Sequence, residues 1–124
     1  MASELRVNTL KDAAGNNSIA TSFVAGGSAK AWVQFNASTV AQGSLNISSL
    51  TDSATGQFIA NINNDFANDD FAATAVVGFA SNVTNYSWLV GDTISTGTLS
   101  LYSFQDSAYR DNPYNMMVFF GDLA

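Results

Sequence analysis

The segment 61–70 carries the densest group of side chains that could do chemistry. Asp65, Asn68, Asp69 and Asp70 offer hard oxygen ligands of the kind that Ca²⁺ prefers. Their spacing does not follow the EF-hand pattern and has no central glycine, and Asp and Asn are also ordinary loop residues. The sequence therefore favours a solvated acidic loop and predicts no metal site, with a Ca²⁺ site at 65–70 as the alternative.

Pairs of carboxylates could also hydrolyse a glycosidic bond, with one group as the acid and the other as the base or nucleophile. Glu4 is the single glutamate of the chain, and the adjacent Asp69 and Asp70 would point to opposite sides of an extended backbone. The chain has no histidine and no cysteine, which removes the commonest general base, thiolate nucleophiles and disulfides. We therefore predict that the protein is not an enzyme and uses no cofactor.

Exposed aromatic side chains could bind sugars, because they combine a broad apolar ring with polar groups at its edge. Tyr109, Arg110 and Tyr114 belong to the most loop-like aromatic segment, so they are the candidate contacts to a host polysaccharide. Trp32 and Trp88 each lie within a predicted strand, where a buried tryptophan is ordinary. These two residues are therefore interpreted as core residues.

The charge balance of the 124 residues is acidic, with four Lys and Arg residues against ten Asp and Glu and a net charge of −6. So few cations cannot form the positive patch that phosphate groups require, and we predict no binding to nucleic acid or to an anionic membrane. No apolar run is long enough to span a bilayer, and the first residues lack the apolar core of a signal peptide. We therefore expect a protein made in the cytoplasm.

The spacing of apolar residues predicts an all-β fold, since no segment of ten or more residues has a helical period. Short strand candidates with turn residues between them recur at 30–35, 44–62, 71–80, 86–90, 98–104 and 115–120. About seven strands at this spacing indicate an antiparallel β-sandwich or barrel-like domain. The predicted domain covers residues 29–124.

Residues 44–62 form the clearest predicted element, a β-hairpin. Leu45 and Ile47 would share one face of its first strand, while Phe58, Ala60 and Ile62 would share one face of the second. The residues 51–56 between them are turn formers, and their glycine can take the positive φ that reverses the chain.

Residues 1–28 are predicted to form an extended arm with one turn and a flexible hinge at its end. The apolar residues Leu5, Val7, Leu10 and Ile19 are too sparse for a core of their own. The arm must therefore lie on another surface, or fray as chain ends often do.

Two of the predicted strands are apolar on both faces. Leu99 and Leu101 oppose Tyr102 and Phe104, and the closing strand has Met117 and Phe119 on one face. Its other face presents Met116, Val118 and Phe120. Each strand of a monomeric sandwich should have one face exposed to solvent. Strands that are apolar on both faces therefore predict a second buried surface, and with it a trimer or dimer. The alternative is a thick core that surrounds these strands.

The segments AKAWVQFN at 29–36, SLNISSLTD at 44–52 and TGQF at 55–58 resemble a β-rich domain of bacteriophage virion-surface proteins. In that family, found in tail-fibre-like and capsid decoration proteins of marine and cyanobacterial phages, a KAWVNFNG strand precedes a hairpin that begins FNVSSITD. The family's closing apolar strand ends in Phe-Gly, as VFFG does at 118–121. The resemblance covers about residues 29 to 121.

The resemblance implies a non-enzymatic virion structural protein, assembled in the host cytoplasm and located on the virion surface. The first hypothesis is a trimeric capsid decoration, or cement, protein that binds the major capsid protein through its N-terminal arm and an apolar face. The alternative is a short tail fibre or receptor-binding protein that contacts host polysaccharide through Tyr109, Arg110 and Tyr114. The candidate contacts of the first hypothesis are Leu5, Val7, Leu10, Ile19, Tyr102, Phe104, Met116, Val118 and Phe120.

Overall fold

Two antiparallel sheets face each other across an apolar core in the computed structural model of the chain. The structure describes residues 6–78, 87–105 and 108–124, and for 87–91 it describes the backbone only. Strands account for 58% of the described residues and helix for 7%. The prediction of an all-β, antiparallel sandwich is therefore confirmed.

Eleven strands and one helix occur in the described part of the chain, where about seven strands were predicted. In chain order they are β1 (Thr9–Lys11), β2 (Ser18–Ala20), α1 (Thr21–Gly27), β3 (Ala31–Phe35), β4 (Ala41–Leu45), β5 (Ile47–Ala54), β6 (Gln57–Ile62), β7 (Ala72–Gly78), β8 (Ser87–Ser95), β9 (Thr98–Gln105), β10 (Ala108–Tyr109) and β11 (Tyr114–Phe120). The additional strands are short, and short strands give a weak periodic signal in the sequence.

The four-stranded sheet has the order β4-β3-β11-β7, so its two central strands come from opposite ends of the domain. In the five-stranded sheet, β9 is central. β8 pairs with one edge of β9. On the other edge, β6 pairs with the first part of β9 and β10 pairs with its end. β5 pairs with the far edge of β6. A separate pair, β1 and β2, forms a hairpin in the N-terminal arm.

The core lies between the two sheets and follows their alternation. The inward residues of β3, β6, β9 and β11 and two loop phenylalanines are buried: Ala31, Val33, Phe35, Phe58, Ala60, Ile62, Phe66, Phe71, Leu99, Leu101, Met117 and Phe119. The rings of Phe35 and Phe58 meet edge to face with centroids 5.2 Å apart, one from each sheet. The predicted inward faces of β6, β9 and β11 are confirmed.

The hairpin predicted at 44–62 begins at Ile47, because Leu45 belongs to β4 in the other sheet. Asn46 has φ 55° and marks the point where the chain crosses between the sheets. Its side-chain amide donates to the Asn64 carbonyl at 3.0 Å and its Oδ1 accepts from the Asn64 amide at 2.7 Å. Leu45 and Ile47 therefore do not share a strand, as the prediction had them.

The arm, predicted to be extended, contains one hairpin turn between β1 and β2 and is not extended throughout. Residues Thr21–Gly27 form α1, whose seven residues are too few for a helical period to appear in the sequence. None of the α1 side chains is buried. Among the described residues, no helix has the length and apolarity to cross a membrane.

Candidate contact surfaces

The outer face of the four-stranded sheet carries large apolar side chains. Directly paired residues of antiparallel strands share a face, and the register places Leu45, Trp32 and Val118 in one row across the sheet. Met116 and Val76 are paired in the next row. We call this surface, with Trp32, Leu45, Val76, Met116 and Val118, the apolar face.

The apolar face is open to solvent and uncharged. Val76 is 56% exposed and Trp32 is 38% exposed, and the indole ring of Trp32 lies 3.3 Å from the position that a Cβ on Gly43 would take. Trp32 is therefore not the core residue that its place in a strand predicted. Of the residues on this side of the four described strands, none is charged: Gly43, Leu45, Trp32, Gln34, Ala72, Thr74, Val76, Gly78, Tyr114, Met116, Val118 and Phe120.

The predicted contact residues lie on three separate surfaces. Met116, Val118 and Phe120 are on the outer side of β11, as their alternation with Met117 and Phe119 predicted. Tyr102 and Phe104 are on the outer side of β9, which belongs to the other sheet. The third group is in the arm.

The arm presents its apolar side chains to solvent. Val7, Leu10 and Ile19 are exposed, and Leu10 lies directly opposite Ile19 in the β1–β2 hairpin. Leu5 lies outside the described residues. Sequence reasoning missed Phe23, which is 73% exposed on α1, because that helix was not predicted.

Asp12 fixes the turn of the arm hairpin. Its Oδ2 accepts a hydrogen bond from the Asn17 side-chain amide at 2.7 Å, and its Oδ1 accepts one from the Asn16 backbone amide at 2.9 Å. These donors, the Asn17 side chain first, hold the pKa of Asp12 below its ordinary value, since they favour the ionised carboxylate. The arm therefore has a defined local structure.

The outer face of the five-stranded sheet has a different chemistry. Tyr102, Phe104 and Tyr109 form what we call the aromatic cluster, with ring centroids 4.7 Å apart for Phe104 and Tyr109 and 5.4 Å apart for Tyr102 and Tyr109. A hydrogen bond to the Asp92 carboxylate raises the pKa of the Tyr102 phenol. The remaining outward groups are mainly hydroxyls and amides, and Asn61 donates to Ser49 at 3.0 Å.

Tyr109, Arg110 and Tyr114, grouped in the sequence as candidate polysaccharide contacts, do not form one site. Tyr109 lies in β10 of the five-stranded sheet, whereas Tyr114 begins β11 of the four-stranded sheet. Arg110 is exposed, and its backbone amide donates to the Ser103 carbonyl at 3.0 Å. Tyr109 instead packs with Tyr102 and Phe104, which sequence reasoning had assigned to an oligomer or virion contact.

The acidic loop is anchored by its aromatic residues. Phe66 and Phe71 are buried and their rings stack with centroids 4.3 Å apart. The Asp65 carboxylate lies against Gly97 of the β8–β9 turn, where a Cβ would come within 2.9 Å of Oδ1. Within the described ranges, no three acidic side chains come together as metal ligands would.

The sequence motifs that resemble those of phage virion proteins fall on β3, the end of β4, the β5–β6 hairpin and β11. Trp88, interpreted there as a core residue, has its side chain outside the described part of the chain. Comparisons with protein-family models, with curated proteins and with solved structures find no match to this chain.

Proposed function

We propose that the protein is a non-enzymatic structural component of a bacteriophage particle, a decoration protein that acts as a homo-oligomer, most simply a trimer, on the capsid surface. The main support for this proposal is the apolar face. It places Trp32, Val76 and Met116 in solvent on a sheet whose outer side has no charge to oppose association. Large exposed apolar patches of this kind mark protein–protein interaction sites.

In this proposal, the arm provides a second contact surface in addition to the apolar face. Phe23, Leu10 and Ile19 expose apolar side chains on a helix and a hairpin that contribute nothing to the sandwich core. Burying such side chains against a partner is favourable by about 25 cal/mol per Å² of apolar surface. In the proposal, the arm binds the major capsid protein while the apolar face joins copies of the chain.

Multiple copies make weak individual contacts sufficient. When one arm of an oligomer is bound, the other arms are held close to equivalent sites of a capsid, which raises their effective concentration. A small domain can therefore attach firmly without a deep binding pocket, and the proposal needs no catalytic group.

The test counts the copies of the chain in purified particles of the phage that encodes it. Densitometry against the major capsid protein should give hundreds of copies. In particles assembled with the double variant Phe23→Ser and Val24→Ser, the number should fall at least tenfold, because both substitutions replace exposed apolar groups of α1 by hydroxyls. Ser22→Ala is the matched control in the same helix and should leave the copy number unchanged.

Three results would contradict the proposal. Absence of the chain from the particles would remove the virion role. A handful of copies located at the tail would favour the tail-fibre alternative. Full copy number in the Phe23→Ser and Val24→Ser variant would show that the arm does not attach the protein.

A further inference from the structure

The two outer faces of the sandwich differ in what they can bind. The apolar face has few hydrogen-bonding side chains beside its large apolar ones, namely Gln34, Thr74 and Tyr114. The aromatic cluster, in contrast, lies beside carboxylate, amide and hydroxyl groups. We propose that the aromatic cluster, with the polar recess beside Tyr102, is a binding site for neutral polysaccharide. This site lies on the sheet opposite the proposed docking face and does not depend on how the protein attaches to a particle.

The contacts within the cluster decide how a ligand could bind. The three ring centroids lie between 4.7 and 6.4 Å apart, so the rings touch one another and no group can enter between them. Tyr109 nevertheless keeps 49% of its surface exposed. The rings are tilted by 31–57° to one another and so do not form one flat surface. The exposed ring of Tyr109 is therefore the platform for a flat ligand that lies on top of it. The C–H face of a pyranose ring is such a surface.

The recess beside the platform supplies the polar contacts. It has a volume of about 70 Å³, and Phe58, Ile59 and Leu101 form the apolar part of its lining. The polar part is formed by Ser53, Gln57, Asp92, Ser100 and Tyr102. A water molecule occupies about 30 Å³ of the liquid, so the recess accommodates a group of about two waters, such as the hydroxymethyl of a sugar. Among the described residues, the side chains of Ser53, Gln57 and Ser100 make no hydrogen bonds, which leaves them available to ligand hydroxyls.

The charges favour a neutral sugar over an anionic one. The single charged side chain that lines the recess is Asp92, a carboxylate, and the chain as a whole carries a net charge of −6. An anionic glycan or a nucleic acid would meet repulsion from both. A sugar hydroxyl, in contrast, could donate a charge-assisted hydrogen bond to the Asp92 carboxylate.

Tyr109 is held in place by hydrogen bonds of the residues that follow it. The Arg110 amide donates to the Ser103 carbonyl at 3.0 Å, and the Asn112 side-chain amide donates to the buried Ser103 hydroxyl at 2.6 Å. The Asp111 carboxylate accepts from the Gly56 amide at 2.6 Å. A platform that is rigid before binding loses less conformational entropy when the ligand arrives.

The experiment is affinity gel electrophoresis of the full chain in gels that contain dextran, laminarin or galactomannan, with dextran sulfate as the anionic probe. At least one neutral polysaccharide should retard the protein, and dextran sulfate should not. Tyr109→Ala should weaken the retardation at least tenfold, since it removes the exposed ring. Tyr114→Ala is the matched control, because Tyr114 is also exposed but lies in the other sheet.

Gln57→Ala tests the recess separately and should weaken binding while the platform stays in place. Tyr109→Phe keeps the aromatic ring, so it should bind nearly as well as the original chain. Far-UV circular dichroism of each variant checks that the sheets are intact. Retardation by none of the three neutral polysaccharides would overturn the proposal. So would retardation by dextran sulfate alone, or equal retardation of Tyr109→Ala and the original chain.

Discussion

At the scale of single residues, the hydrogen bond between Tyr102 and Asp92 is the clearest electrostatic feature of the polar outer face. The phenol donates to the carboxylate, and the negative charge of Asp92 further opposes ionisation of the phenol. Both causes raise the pKa of Tyr102 above its ordinary value of 10.0. The folded protein therefore holds this proton more tightly than the unfolded chain does.

This shift predicts a pH dependence with a definite sign. A raised pKa of the folded state contributes stability below the ordinary pKa of 10.0, and that contribution is lost as the pH rises through the raised value. In an ultraviolet titration, Tyr102 should ionise above its ordinary pKa of 10.0. In Asp92→Asn its pKa should fall towards the ordinary value, whereas Asp69→Asn, in the acidic loop, should not change it. An unchanged late titration in Asp92→Asn would contradict the assignment.

At the scale of elements, Gly56 closes the β5–β6 hairpin in a position that no other residue suits. Its φ is 66°, and a Cβ there would lie 2.5 Å from both the Arg110 amide nitrogen and the Ser103 carbonyl oxygen. The Gly56 carbonyl also accepts from the Ser103 amide at 2.7 Å. One glycine therefore joins the hairpin turn to β9 and to the segment that carries Tyr109.

We expect Gly56→Ala to destabilise the sandwich. A left-handed conformation alone costs a non-glycine residue about 1–2 kcal/mol, and the two backbone clashes add to that cost. A loss of about 2 kcal/mol or more should lower the Tm by about 8 °C or more. The control is Gly26→Ala in α1, where a Cβ meets nothing within 4 Å and alanine is the better helix former. A Gly56→Ala variant as stable as the Gly26→Ala variant would be inconsistent with this geometry.

The elements that the sequence predicted correctly are those with a strong two-residue period. β9 alternates fully between buried and partly exposed residues, and its alternation is visible in the sequence. The crossover at Asn46 was not predictable, because an asparagine at positive φ looks the same in a sequence as one inside a hairpin strand. The aromatic cluster was only half predicted: Tyr102 and Phe104 share a strand, but Tyr109 joins them through the local pairing of β10 with the end of β9, and a strand of two residues gives no periodic signal in the sequence.

At the scale of the whole molecule, the sandwich has two outer faces with opposite chemistry. One side exposes Trp32, Val76 and Met116 without a charge, and the other exposes tyrosines beside hydroxyl and amide groups. Covering the apolar side with a partner would remove its side chains from water, while the polar side can stay hydrated. This arrangement explains why β11 is apolar on both faces. Met117 and Phe119 fill the core, while Met116 and Val118 face outward.

The asymmetry predicts that the chain self-associates through the apolar face. Light scattering should give a mass that is a small multiple of 13.1 kDa, and three copies would satisfy the proposed trimer.

The double variant Val76→Lys and Met116→Lys puts two cations on directly paired positions of the apolar face. Association would then have to remove water from these cations and bring like charges together. This variant should keep its strand content and run as a monomer. Asn63→Lys, in an exposed loop outside the face, should leave the oligomer intact. If the original chain is itself a monomer, or if the double lysine variant still associates, copies do not meet through this face.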